Sequence, residues 1–221
     1  MPTADVQAKN RYAASFYTGK YSFSESYKYD SDYLSDWGSI TDNSYSMNYG
    51  LGRGLEISGA ERKVSGGYGY SYNEFSIATS GTIKGRMIGI KYNPGKKYFL
   101  NKTTAKKWAY AFGAQRYEYE HVDGSYFFGV VDVPTKKFNF HLSLFQDNYQ
   151  GISGTRLGTM AGAEFAVTPS MVFIGEMTLY QGEYTWNWAL RYVHQNRGSI
   201  LLGLNDTTDY RYESLGLSFN F

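Results

Sequence analysis

The chain has 221 residues, a formal net charge of +2, no cysteine and only 4 prolines. Its length fits one domain, the absence of cysteine excludes disulfide and thiol chemistry, and so small a charge makes no case for nucleic acid. Tyrosine (23), glycine (25) and phenylalanine (14) are abundant, yet no stretch approaches the ~20 apolar residues of a transmembrane helix.

The start, Met1-Pro2-Thr3-Ala4-Asp5, lacks the basic end and apolar core of a secretory leader. Residues 1–9 read as a stub ahead of the first alternating segment. That segment, Arg11–Thr18, puts Tyr12, Ala14 and Phe16 on one face. Residues 19–43 read as a long loop carrying both aromatic and acidic residues. Tyr45–Leu51 alternates again, with Tyr45, Met47, Tyr49 and Leu51 together. Gly52-Arg53-Gly54 turns the chain into Leu55–Ala60. After a loop rich in glycine, tyrosine and serine come Thr82–Tyr92, a basic connection, and Lys107–Glu118. The segment Ile83–Tyr92 changes face midway, which predicts a bulge or a shifted register. Seven more segments follow: Ser125–Val133, Lys137–Phe145, Leu157–Val167, Ser170–Tyr180, Tyr184–Val193, Ser199–Leu204 and Tyr210–Phe221. The count is twelve, with ten as the alternative if the weak third or fourth segment is merged or dropped.

Such segments, apolar on one face and polar on the other, are the pattern of a closed transmembrane β-barrel. Its strands face lipid outside and a polar lumen inside. The mean hydropathy of −0.47 does not conflict with this, because alternation never builds a long apolar run. The fold class is therefore all-β: an antiparallel up-and-down barrel. Lys137–Phe145 states the pattern most plainly, with Phe138, Phe140, Leu142 and Leu144 out and Asn139, His141 and Ser143 in. By the same parity Glu164, Glu176 and Arg191 face in, and Arg11 and Glu56 are assigned to the lumen with them. Arg191 with Glu164 or Glu176 reads as a structural ion pair. An even strand number puts both termini at one end. The expected turns at that end carry Arg53, Lys96, Lys136 and Arg197, and the opposite loops carry Asp30, Asp36, Glu120 and Asp206.

The last segment runs Ser214-Leu215-Gly216-Leu217-Ser218-Phe219-Asn220-Phe221 and ends on an aromatic residue. Its order of polar residue, glycine and two aromatics, at Ser214, Gly216, Phe219 and Phe221, resembles the C-terminal assembly signal of Gram-negative outer-membrane β-barrel proteins. The resemblance implies a bacterial outer-membrane protein whose final strand is read by the barrel-assembly machinery. It also implies contact with outer-membrane lipid and lipopolysaccharide, both termini in the periplasm, and a leader removed after export.

Candidate chemistry is sparse. His141-Leu142-Ser143 matches the His-x-Ser pair of outer-membrane lipid A deacylases, but the surrounding motif is absent, and structural lumen residues are the better expectation. Glu118, Glu120, His121 and Asp123 share one loop, whereas omptin-type proteases need Asp and His at the outer rim on facing strands. Asp30, Asp32 and Asp36 offer oxygen ligands that suit Ca²⁺, without the glycine and final glutamate of an EF-hand loop. No metal or cofactor site is expected. Three functions remain in order: a narrow channel for small hydrophilic solutes such as sugars, a non-conducting partner in polysaccharide export or secretion, and a lipid hydrolase. Tyr49–Ile57 looks like the strand-turn-strand of small barrels, some tied to exopolysaccharide. Twelve-stranded channels for acidic sugars are similar in length, but their lumens are rich in arginine and this one mixes signs.

Overall fold

A computed structural model describes residues 7–29, 32–72, 75–94, 108–120, 122–135, 137–149, 155–194, 197–207 and 211–221. The strands are β1 (Tyr12–Tyr29), β2 (Asp32–Gly52), β3 (Leu55–Tyr72), β4 (Phe75–Tyr92), β5 (Ala109–Tyr119) and β6 (Val122–Pro134). They continue as β7 (Phe138–Tyr149), β8 (Thr155–Thr168), β9 (Met171–Tyr180), β10 (Glu183–His194), β11 (Gly198–Thr207) and β12 (Arg211–Asn220). Each pairs antiparallel with its sequence neighbours, and β12 pairs with β1 to close the barrel. Closure leaves no free edge around the ring, as a sheet in hydrocarbon requires. The ten-strand alternative is set aside.

Burial follows the predicted alternation. On β7, Leu142 and Leu144 are 56% and 69% exposed while His141 and Ser143 are each 3% exposed. The outer face is an apolar band that includes Met47, Ile57, Ile88, Phe112, Phe140 and Leu202. Aromatic contacts stiffen it. On β10 the Trp186 and Trp188 rings lie 6.1 Å apart and almost parallel, and Phe173 stacks on Trp188 at 5.8 Å.

The first four strands depart from expectation. Residues 19–43 are not one long loop, because β1 and β2 pair from Tyr12↔Tyr49 to Tyr29↔Asp32. Asp30 and Ser31 lie outside the described residues. Likewise β3 runs to Tyr72 and β4 begins at Phe75. β1 pairs with β12 only as far as Lys20, and β4 with β5 only from Gly85. Beyond those points β1–β4 continue as a four-stranded flap at the loop end. Neither face of the flap meets lipid, so its sequence does not need apolar–polar alternation, and the Gly, Ser and Tyr residues that read as loop fit there. The bulge predicted in Ile83–Tyr92 is absent, since β3 and β4 pair without a break. Register instead shifts at Gly50/Gly52 and at Ala166/Thr168. The flap also brings Lys63, Lys84 and Arg86 to the loop end, so charge sorts less cleanly by side than the turns alone implied.

At the turn end the N-terminal segment folds back onto β2. The Asn10 N–H donates to the Gly50 carbonyl at 2.9 Å, and the Gly50 N–H donates to the Arg11 carbonyl at 2.9 Å. A Cβ on Gly50 would overlap the carbonyls of Gln7 and Ala8. Gly50→Val is therefore expected to release residues 7–10 and speed tryptic cleavage after Lys9 and Arg11 severalfold, read by mass spectrometry of the folded protein. An unchanged rate would show that the close approach holds nothing in place.

Candidate functional site: the barrel lumen

Inward side chains from four strands meet near the turn end. Register sets Asp132 of β6 opposite His141 of β7, and Asn139 of β7 opposite Glu164 of β8. The His141 Nδ1 lies 2.7 Å from an Asp132 oxygen, and both residues are almost fully buried. A protonated Nδ1 donates to that carboxylate, which sets the ring's tautomer and orientation. The other ring nitrogen lies 3.3 Å from the Asn139 amide and 3.8 Å from Glu164. Glu164 in turn accepts from Arg191 Nη2 at 3.0 Å. Of the two ion pairs the sequence allowed, Arg191 with Glu164 is formed. Glu176 stands in register with Gly162 and Asn187 on the same inner face.

This geometry bears on the His-x-Ser candidate. The Ser143 hydroxyl has no protein hydrogen-bond partner, and both nitrogens of His141 are directed at other groups. A nucleophile needs a base within hydrogen-bond reach, and the two side chains do not form that contact.

A second pair lies near the N-terminal segment. Glu56 is 4% exposed. One of its oxygens is 3.1 Å from Lys91 Nζ, and the other accepts the Gln7 N–H at 2.7 Å. Arg11, expected in the lumen, is exposed at the rim beside this segment. A third pair, Arg62 of β3 with Asp42 of β2 at 2.6 Å, sits higher up.

Toward the loop end the interior is aromatic. Phe128, Tyr126, Phe145 and Tyr180 form a row with ring centroids 5.8, 5.2 and 5.5 Å apart in turn. Phe128 lies over Gly113 and Phe145 over Gly158, where any side chain would collide with the ring. The inward glycines thus let these rings lie flat on the wall. Asp147 accepts from the Tyr117 phenol at 2.7 Å and from Tyr180 at 3.4 Å. Asp132, Lys91 and the Tyr126–Asp147 group were not singled out in the sequence. Their inward parity was readable, but their partners depend on register between strands.

The interior is unevenly filled. Inward residues of β5–β7, from Ala109 and Ala111 through Phe128, Val130 and Phe145, are buried. On β11, β12, β1 and β2 the inward Ser199, Ser218, Ser15 and Ser46 keep accessible surface. Strand order places these two walls half a barrel apart.

The remaining candidates separate. Asp30 and His121 lie outside the described residues. Asp32 opens β2, and Asp36 accepts the Tyr68 phenol at 3.1 Å. That bond, in the flap, raises the Tyr68 pKa above its ordinary value. Glu118 pairs with Arg86 at 2.7 Å. Among the described residues no three His, Asp or Glu side chains are arranged to hold a metal ion. In the last strand Ser214 is buried, Gly216 faces in opposite Leu201, and Phe219 and Phe221 are exposed on the outer face.

No protein-family model matches the chain, and no curated protein does. Solved structures do match. The KdgM porin aligns with a TM-score of 0.64 at 8% identity, over 93% of this chain and 99% of that one. An outer-membrane channel from Pseudomonas putida F1 aligns at 0.62 and 10% identity, over the whole of both chains. This is the outer-membrane β-barrel fold. The NanC porin shares it at 0.59 and 10% identity, over 93% of this chain and 98% of that one. At such identities the likeness is one of backbone.

Proposed function

We propose that the protein is an outer-membrane channel that passes small hydrophilic solutes through an off-centre passage. The uneven filling of the lumen carries this reading. One wall is packed with buried rings, while the facing wall keeps polar side chains accessible. Twelve strands fall between the side-chain-filled interior of eight and the aqueous channel of sixteen. In this reading both termini are periplasmic, the apolar band contacts outer-membrane lipid, and the assembly machinery recognises β12. The hydrolase alternative is weaker, because His141 and Ser143 are not paired and both face inward. Neither does any feature of the barrel favour a non-conducting partner in an export assembly.

Planar-bilayer recording of the refolded protein tests the channel. Steady single-channel steps are expected, and Ser218→Trp, which puts a large ring on the open wall, is expected to at least halve the step size. A silent bilayer, with folding verified by heat-modifiable gel mobility, would overturn the reading.

A further inference from the structure

We infer that the solute is an uncharged saccharide, which meets the tyrosines of the aromatic row toward the loop end and a belt of serine hydroxyls nearer the turn end. This rests on the channel reading and goes further by naming the substrate class.

Three observations carry it. The first is the belt. Register aligns Ser46, Ser15, Ser218 and Ser199 across β2, β1, β12 and β11 in one continuous row. All four face the lumen and keep accessible surface. A serine hydroxyl both donates and accepts, so such a row can exchange hydrogen bonds with a sugar's hydroxyls while adding no charge.

The second is the pair of tyrosines in the aromatic row, Tyr126 on β6 and Tyr180 on β9, which keep accessible surface while Phe128 and Phe145, packed against them, are buried. A pyranose ring has an apolar C–H face and a hydroxyl rim. The electron-rich face of an aromatic ring accommodates the C–H face.

The third is charge. Among the described residues, three cations inside the barrel are engaged by its own acids: Arg191 by Glu164, Lys91 by Glu56 and Arg62 by Asp42. Arg156 stands in register with Asp147. An acidic sugar needs cations free to meet its carboxylates, and here it would have to displace an internal partner and leave that acid unpaired. An uncharged sugar requires no such exchange.

The flap continues the theme. Its strands carry the lumen parity upward, and Tyr68 and Tyr72 on that face are exposed. The same chemistry, ring plus hydroxyl, therefore extends from the mouth into the lumen.

The test is the recorded channel with maltohexaose added to one side and, separately, trigalacturonate. Maltohexaose is expected to produce concentration-dependent interruptions of current, with trigalacturonate weaker at equal concentration. Tyr180→Leu and Tyr126→Leu are each expected to raise the half-blocking concentration of maltohexaose by about two- to tenfold, the range for loss of one ring contact. Heat-modifiable mobility shows which variants fold, and Tyr180→Met replaces Tyr180→Leu should the latter fail. A channel that conducts without interruption by maltohexaose, or that is blocked better by trigalacturonate, overturns the substrate class and leaves the channel standing. A folded but silent barrel overturns both.

Discussion

Phe221→Ala is expected to lower the folded barrel recovered from outer membranes severalfold, while costing purified protein only about 1 kcal/mol on refolding. Phe221 sits at the seam where β12 closes onto β1. Its N–H donates to the Tyr12 carbonyl at 2.9 Å, and the Tyr12 N–H donates back at 3.3 Å. These backbone bonds survive the substitution. What is lost is the ring, which stacks on Tyr12 at 5.1 Å with 21° between the planes. One aromatic contact at the lipid boundary is a modest part of a barrel's stability. In the cell the same ring belongs to the segment that the assembly machinery is proposed to read, where its loss acts on recognition. Urea titration of refolded protein and heat-modifiable mobility of membrane fractions separate the two effects. Equal losses in both would assign Phe221 to stability alone.

Asp132→Ala is the second large effect, with an expected loss of about 1–3 kcal/mol in the urea titration. Asp132 is 1% exposed and is the partner of His141 Nδ1. Removing the carboxylate leaves a buried ring N–H without an acceptor and opens space beside it. The penalty comes from the stranded donor more than from the lost bond. Replacing both partners should therefore recover part of it: Asp132→Ala with His141→Phe is expected to be more stable than Asp132→Ala alone. Asp132→Asn keeps an acceptor oxygen and should cost less. An unchanged urea midpoint for Asp132→Ala would show that the pair carries no stability.

Much of the barrel was legible because lipid imposes a simple demand. Phe138, Phe140, Leu142 and Leu144 alternate with Asn139, His141 and Ser143 because hydrocarbon tolerates the first set and not the second. Wherever a strand crosses the apolar band, that demand writes the strand into the chain. It stops at the edge of the band. The flap residues of β1–β4, with glycine, serine and tyrosine on faces that never meet lipid, read as loops and are strands. The supposed bulge in Ile83–Tyr92 has the same origin. Ile88, Ile90 and Tyr92 face outward, whereas Ile83 belongs to the opposite parity near the flap, where being apolar no longer signals lipid.

Fold class, strand number and the inward or outward direction of Glu56, His141, Glu164, Glu176 and Arg191 are properties of single segments, set by a period of two along the chain. The sequence by itself determines these, because each depends only on what one strand must show to lipid. The partners are another matter. That His141 is held by Asp132 and not by Ser143, that Glu164 takes Arg191, that four serines align across β2, β1, β12 and β11, and that rings fill only one side of the lumen all follow from register and closure. A slip of one residue in one strand would turn that strand's inward groups to the outer face. Only the tertiary structure decides such contacts, because they join strands that the sequence keeps far apart.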